Sequence, residues 1–388
     1  MNSKLKGILS ALVIVLSISI VIIVAFSNKE LGNAWDTIRQ MDLIWLAGLL
    51  LCWASYAVFE AMGTWSYLRS QGYKIHLPRV IGVALIGLYY SNITPSAAGG
   101  QPMQVNSLRK AGIPVGYGTT AVTIRFVCNQ FMICLISLVL AIVHRDFVHQ
   151  QLGGAMWAAR IGWGINFLAV PLVTLAAFKR SWIQKLVEKL IALFAKMHLV
   201  REPEKQIEKA TEVLNTYHTA LIDLIHCPGQ ILLQLLYSAL SLLGLTFSIV
   251  FTYHAFGLRG TPWNQLLTLS CLLFVSASYT PLPGASGAQE GGFLLYFNGI
   301  FTDGTIGLAL LVWRFFTYYL FLIVGMFTVL NEKLLVRRER HRRKKAAAAE
   351  VPEETAEAEG EEETEATAEP EQPEKDPLAE AEKKTSAK

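Results

Sequence analysis

Charge is scarce in this sequence. Only 16% of its 388 residues are charged and 53% are hydrophobic, whereas about a quarter of the residues of a typical soluble protein are charged. This deficit excludes an ordinary soluble enzyme or binding domain. Apolar runs of about 20 residues, the length that crosses a bilayer, recur between residues 8 and 330. The sequence therefore predicts an all-α polytopic membrane protein.

Signatures of metal, redox and nucleotide chemistry are also missing. The sequence has no CxxC pair, no GxGxxG, no Walker A motif and no HExxH. We therefore expect no cofactor and no bound metal, and the sequence favours a non-enzymatic function. An odd number of scattered cysteines indicates small core residues rather than a disulfide framework. They are Cys52, Cys128, Cys134, Cys227 and Cys271.

About eight membrane spans are predicted. The first follows Lys4 and Lys6 and lacks a small-x-small cleavage site, so it is interpreted as an uncleaved span. Residues 96–110 and 284–300 are too short and too interrupted to cross alone. We interpret them as the returning halves of two re-entrant helical hairpins. The predicted spans are residues 8–27, 42–62, 79–94, 117–143, 157–178, 229–256, 262–281 and 303–330.

Charged residues are unevenly distributed along the chain. Residues 350–388 hold 15 of the 30 acids and 4 of the 34 bases, which leaves the rest of the chain at +15. This positively charged part of the chain is suited to bind an anionic membrane surface or an anionic substrate. Nucleic acid is not expected as a partner. Because Lys and Arg concentrate in cytoplasmic loops, their positions predict cytoplasmic N- and C-termini. The orientation of the spans is consistent only if both hairpins return to the side they enter from, which gives the two halves opposite topology.

Proline, glycine and glutamine break two apolar runs at matching places. In lipid, such breaks persist only where protein or a wet cavity surrounds them, and paired broken segments point to a transporter's binding site. The half-helices that follow would offer free backbone N–H groups and a positive dipole end to an anionic headgroup. The alternative is that Pro and Gly only let helices cross tightly. The residues are Pro95, Gly99, Gly100 and Gln101, then Pro281, Pro283, Gly284, Gly287 and Gln289.

A weak internal repeat surrounds the two breaks. Pro78 and the pair Arg125-Phe126 flank the first break, as Pro262 and Arg314-Phe315 flank the second. Inverted repeats would supply two similar gates around one midplane site. Because Arg-Phe is only a dipeptide, a chance match remains an alternative.

Two arginines, Arg125 and Arg314, are predicted to lie deep in their spans. They stand about 12–17 Å from the span ends at 1.5 Å per residue, and a lipid-facing arginine at the bilayer centre costs about 2.5 kcal/mol or more. Each should therefore face the interior and meet an anion, which is either a carboxylate or a substrate phosphate. Glu60 and Glu290 are the acids available at that depth. The predicted substrate-binding set consists of these four residues, Arg109 and the nine residues of the two breaks named above. No catalytic residue is predicted.

Three regions are predicted: a transmembrane domain (1–335) with a cytoplasmic loop (179–228), a basic juxtamembrane segment (336–345) and a disordered acidic tail (346–388). Within the loop, residues 181–198 predict a basic amphipathic helix. It lies either in the headgroup plane or packed under the helical bundle.

The two broken segments resemble the membrane domain of lysylphosphatidylglycerol synthases, a family of flippase-like integral membrane proteins. The resemblance covers about residues 5–335, and Ala285 stands where that family often has a second glycine. The motif residues are Pro281, Pro283, Gly284, Gly287 and Glu290, with Pro95, Gly99, Gly100 and Arg109 upstream.

The resemblance implies translocation of a phosphatidylglycerol-type lipid, aminoacylated in the best-known members, from the inner to the outer leaflet of a bacterial inner membrane. It also implies a link to resistance against cationic antimicrobial peptides. In full-length members a soluble C-terminal domain transfers lysine from lysyl-tRNA to phosphatidylglycerol, and we expect no such domain after residue 345 here. The expected partners are membrane phospholipid and either a second copy of the chain or a separate lipid-modifying enzyme.

Two other functions remain open from the sequence. One is a lipid-headgroup transferase of the phosphatidylglycerol lysyltransferase type, which would use Glu60 or Glu290 as a base but lacks an evident donor site. Formation of lysyl-lipid from lysyl-tRNA and phosphatidylglycerol would favour it. The other is a membrane scaffold that presents the loop and the tail to a partner.

Overall fold

The computed structural model describes residues 41–178, 227–278, 280–302 and 304–349, with Arg39 and isolated positions between 185 and 222. The predicted first span (8–27), the amphipathic segment 181–198 and the tail beyond Ala349 lie outside the described residues. The chain divides into two compact units, Met1–Val329 and Leu330–Lys388. The candidate site belongs to the first.

Every regular element in the described part of the chain is a helix. Helices α10 and α11 are joined by a π-helical turn, Phe315–Tyr319. Short 3₁₀ turns lie at Pro95–Ala97, Gly153–Ala155 and Pro283–Ala285. The helices are α1 (Leu43–Ser70), α2 (Leu77–Ile93), α3 (Gly100–Lys110), α4 (Val115–Val143), α5 (Arg145–Leu152), α6 (Met156–Phe178), α7 (Pro228–Ala255), α8 (Trp263–Ala277), α9 (Ala288–Tyr296), α10 (Ile306–Arg314) and α11 (Leu320–Ala349).

Proline and glycine mark the ends of several helices. Pro228 is the first residue of α7 and Pro262 directly precedes α8; proline is tolerated there because the first helical N–H groups have no intrahelical acceptor. Gly72 and Gly112 follow α1 and α3 with φ of 83° and 88°. The Gly72 N–H donates to the Arg69 carbonyl, and the Gly112 N–H donates to the Arg109 carbonyl. A glycine in the left-handed conformation commonly ends a helix in this way.

Four helical stretches are long and apolar enough to cross a membrane: Leu43–Ser70, Val115–Val143, Pro228–Ala255 and Ile306–Leu334. Two shorter apolar helices are Leu77–Ile93 and Trp263–Ala277. Large apolar side chains point outward from the long helices, as a lipid-facing surface requires; Leu51 is 68% and Leu232 69% exposed. The all-helical membrane fold is confirmed, while the count of eight spans and their orientation stay predictions.

Two apolar clusters fix the helices around the candidate site. One joins α8, α9 and α10 through the fully buried Phe293, Phe297 and Trp313. The other joins α1 to α4 and includes Tyr67 and Leu108. Helices α1 and α7 also pack closely against each other.

Helix α11 continues through the predicted basic segment as far as Ala349. Its backbone is therefore helical for the first four residues of the tail predicted to be disordered.

Candidate functional site

Both predicted breaks are present, and their backbones are alike. Helix α2 ends at Ile93 and α3 begins at Gly100, while α8 ends at Ala277 and α9 begins at Ala288. In each gap a proline opens a 3₁₀ turn, and the next two residues have positive φ. These are Ser96 (52°) and Ala97 (55°) in the first turn, and Gly284 (61°) and Ala285 (51°) in the second. The two turns therefore share one backbone conformation, while the inverted repeat around them stays a prediction.

The turns store backbone strain. An L-residue in the left-handed region costs about 1–2 kcal/mol, and three of the four positions are not glycine. Such strain persists only where the surroundings impose it, and it concentrates at functional sites. The two turns are thus constrained positions rather than ordinary loops.

The two turns meet each other. The Ser96 N–H donates to the Pro281 carbonyl at 3.3 Å, and the two 3₁₀ turns pack together. The Tyr318 hydroxyl in the π-helical turn donates to the Asn92 carbonyl at the end of α2, at 3.2 Å. Breaks that lie almost 200 residues apart in sequence therefore form one centre.

A cavity of about 280 Å³ opens beside this centre. Both turns line it, together with the π-helical turn and residues of α1, α2, α4 and α7 to α11. Among the described residues that line it, Arg314 alone is charged. The uncharged polar lining is Tyr56, Ser91, Asn92, Ser96, Asn129, Gln130, Ser278, Thr280, Gln289, Thr317 and Tyr318.

Arg314 is held by a buried carboxylate. Its Nε and Nη2 donate to Glu290 Oε1 at 2.7 and 2.6 Å, and Nη2 also donates to the Gly284 carbonyl at 3.1 Å. Glu290 Oε2 accepts the Gly287 N–H at 2.6 Å. The side chains are 4% and 2% exposed. The guanidinium also lies 4.9 Å from the ring centre of Tyr318, close enough for a cation–π contact.

Arg125 is also paired with a buried carboxylate, at the interface of α1 and α4. Its Nη1 contacts Glu60 Oε2 across the α1–α4 interface, and its Nε has no hydrogen-bond partner. Nearby, Gln234 of α7 donates to the Gly63 carbonyl at 2.7 Å. Neither Arg125 nor Glu60 lines the cavity. Both arginines thus meet the acids that the sequence offered, and the anion is a carboxylate in each case.

The structure brings together only part of the predicted site. Gly284, Gln289 and Arg314 line the cavity, and Glu290 lies directly behind Arg314. Arg109 is exposed near the end of α3, where it donates to Asn106 at 3.1 Å. The remaining predicted residues are not part of the lining; they are Pro95, Gly99, Gly100, Gln101, Pro281, Pro283 and Gly287.

Glycines of the first break serve close packing. A Cβ on Gly100 would lie 2.7 Å from the Gly87 carbonyl and would overlap Ser91, and a Cβ on Gly99 would lie 2.6 Å from Thr94. The tight-crossing interpretation therefore applies to Gly100, where α3 meets α2, whereas Gly99 packs against Thr94 of its own turn.

The expected free N–H groups are largely occupied in the first turn. Ser96, Ala97 and Ala98 donate to backbone carbonyls, and Gly99 donates to the Thr94 hydroxyl at 2.9 Å. In the second turn the Gly287 N–H is taken by Glu290. The sequence predicted free N–H groups at residues 96–101 and 284–290. This expectation is wrong for residues 96–99, because Ser96 donates to Pro281 of the second break and the next three residues donate to acceptors of their own turn.

Comparison with known proteins decides the family. Residues 8–325 match the model of the lysylphosphatidylglycerol synthase transmembrane region. The chain belongs to this family. It is a membrane protein, as its four candidate spans also indicate.

A relative of this family member comes from Archaeoglobus fulgidus and is described as a UPF0104 membrane protein. It is 23% identical over 328 residues, which cover 81% of this chain and 94% of the relative. No solved structure matches the chain.

Sequence reasoning missed the amide side chains of α4. Asn129 and Gln130 line the cavity, and Gln130 donates to Asn166 of α6. A signal was present, because two adjacent amides inside an apolar run are costly in lipid and mark an interior or wet face. The sequence prediction was based on the residues of the two breaks, so it did not include these amides.

Proposed function

We propose that this family member moves a phosphatidylglycerol-type phospholipid, anionic or aminoacylated, between the leaflets of a bacterial inner membrane, with both termini in the cytoplasm. The observation that carries the proposal is the polar cavity where the two strained turns meet. A headgroup needs a polar path through the bilayer, whereas its acyl tails can stay against the exposed apolar faces of the helices. On this proposal the two short helices, α3 and α9, are the returning halves of re-entrant hairpins.

The lengths of the short helices support the re-entrant arrangement. At 1.5 Å per residue, the 11 residues of α3 and the nine of α9 reach about 16 and 13 Å. The hydrocarbon core is about 30 Å thick, so neither helix crosses it alone.

Glu290 acts as the counter-ion of the empty site. It neutralises Arg314 while no lipid is present, because an unpaired buried guanidinium would be strongly unfavourable. A phosphodiester at the cavity mouth would compete with the carboxylate for the same donors. After release of the lipid, Glu290 would restore the ion pair. Outward movement of aminoacylated lipid would lower the anionic charge of the outer leaflet and thereby reduce attraction of cationic peptides.

The test is lipid flipping in reconstituted vesicles. Acyl-labelled fluorescent phosphatidylglycerol is placed in both leaflets, and dithionite quenching reports how quickly the inner pool reaches the outside. Glu290→Gln combined with Arg314→Met removes both charges with little change of volume, and Gln retains an acceptor for the Gly287 N–H. We expect flipping to fall at least tenfold.

A matched control comes from the other buried pair. Glu60→Gln with Arg125→Met removes the same two charges at a place that does not line the cavity, and we expect it to retain most of the flipping rate. Equal rates in the wild type and the Glu290/Arg314 variant would overturn the proposal. So would wild-type protein that flips no faster than empty vesicles.

A further inference from the structure

The cavity offers hydrogen-bond acceptors without partners. Gln289 is 5% exposed, and its Oε1 accepts no hydrogen bond; Asn129 Oδ1 is likewise buried and unpartnered. Both side chains line the cavity, one from α9 and the other from α4. A buried acceptor without a donor is unfavourable, and the fraction of such groups in folded proteins is small. The buried Oε1 atoms of Gln104, Gln230 and Gln234 also have no partner, but only Gln289 and Asn129 among these amides line the cavity, where a ligand can supply the donor.

Groups that would bind an anion are already engaged. The Arg314 guanidinium is bound to Glu290 and to the Gly284 carbonyl, and the N–H groups of the first turn donate within the chain. No other charged side chain among the described residues lines the cavity. The interior is therefore polar but electrically balanced, so charge alone gives a ligand little advantage there.

We propose that the cavity recognises its lipid through hydroxyl donors of the headgroup, with Gln289 and Asn129 as the specificity-determining acceptors. The terminal torsions of Gln and Asn are broad, so a small rotation turns either oxygen towards the ligand. A polyol headgroup fits this lining, because its hydroxyls donate to the amides and accept from the Ser91 hydroxyl, which also lines the cavity. The phosphate then competes with Glu290 for Arg314, which lines the same cavity. This inference rests on the proposed lipid transport.

Two lipids of equal charge distinguish recognition of headgroup hydroxyls from recognition of charge alone. Phosphatidylglycerol and phosphatidylethanol both carry one phosphodiester, but phosphatidylethanol lacks the two glycerol hydroxyls. In the vesicle assay we expect wild-type protein to flip phosphatidylglycerol about five- to tenfold faster, the value of one ordinary hydrogen bond. Phosphatidylinositol as a third lipid distinguishes a ring polyol from glycerol: whichever of the two flips faster names the source of the hydroxyls.

Two variants assign the preference to the cavity amides. Gln289→Met and Asn129→Leu should each bring the ratio of the phosphatidylglycerol rate to the phosphatidylethanol rate close to one. Gln104→Met is the matched control: Gln104 is 4% exposed and its Oε1 also has no partner, yet it does not line the cavity. We expect it to leave the preference intact.

The possible failures are distinguishable. If wild-type protein flips all three lipids at one rate, hydroxyl recognition is wrong and transport stands. A preference that persists in both amide variants also overturns the assignment. If no lipid flips faster than in empty vesicles, the transport proposal itself fails. Because the lipid series uses wild-type protein, poor folding of a variant does not remove the test.

Discussion

Replacing one partner of the Glu290–Arg314 pair should cost far more stability than replacing both. Both side chains are almost fully buried, at 2% and 4% exposed. Glu290→Gln alone leaves the guanidinium without its counter-charge, and Arg314→Met alone leaves the carboxylate with only the Gly287 N–H. Loss of one partner from a buried pair typically costs about 3–5 kcal/mol. The double replacement leaves no buried charge and should cost much less, because buried pairs and apolar substitutes are often nearly equal in stability.

The expected coupling is therefore at least about 3 kcal/mol. Single variants should melt roughly 6–10 °C lower than wild type, at about 2 °C per kcal/mol for a chain of this size, and the double variant should lie closer to wild type than either.

Buried thiols provide the assay in detergent micelles. Cys52, Cys128, Cys134 and Cys271 are buried, and Cys227 is exposed. A thiol-reactive fluorophore on a Cys227→Ser background therefore reports unfolding with little background signal. Additive effects of the two single variants, or a double variant less stable than both, would refute the reasoning about the pair.

Two smaller changes test the break and its packing. Gly100→Ala should lower the melting temperature, with a cost of about 1–3 kcal/mol for overpacking, because its Cβ overlaps Ser91 and approaches the Gly87 carbonyl. The control is Gly229→Ala, whose Cβ meets open space in the first turn of α7 and which should leave thermal stability unchanged or slightly raised. Equal losses of stability in the two variants would contradict this account. Ser96→Gly should raise the stability measured in the same thiol assay by up to about 1 kcal/mol. Glycine removes the steric cost of the positive φ of 52°, and its larger loss of chain entropy on folding offsets part of this gain. A clear loss of stability would argue against strain at Ser96.

The helix breaks and the arginine partners could be predicted from the sequence for simple reasons. Pro281 disrupts a helix interior and Gly284 weakens one, so the local sequence itself indicates the interruption. The partners followed by elimination, because an apolar chain holds few acids at depth. Glu60 and Glu290 were the acids available, and the structure pairs them with Arg125 and Arg314.

The composition of the cavity could not be predicted, because it depends on which helix faces converge. Arg125 and Arg314 look equivalent in sequence, yet only Arg314 lines the cavity. Arg314 on α10 pairs with Glu290 of the second broken segment, which is close in sequence, whereas Arg125 pairs with Glu60 on α1. The first-turn N–H groups were expected to be free because a helix start leaves them unpaired, but Ser96 donates to Pro281 of the second break and the next three residues donate within their own turn.

The central claim is that the two breaks enclose a cavity that a lipid headgroup can enter. Thiol accessibility tests it most directly, with Ser91→Cys on α2 and Ser278→Cys after α8 as cavity positions in a background without reactive cysteines. Ser270→Cys on α8 is the control, since Ser270 is 1% exposed and lies outside the cavity. The account predicts that a small water-soluble thiol reagent modifies both cavity cysteines quickly, that phosphatidylglycerol slows the reaction at both, and that the Ser270→Cys thiol stays inert. Cavity cysteines that react no faster than this control, or that react equally with and without the lipid, would contradict it.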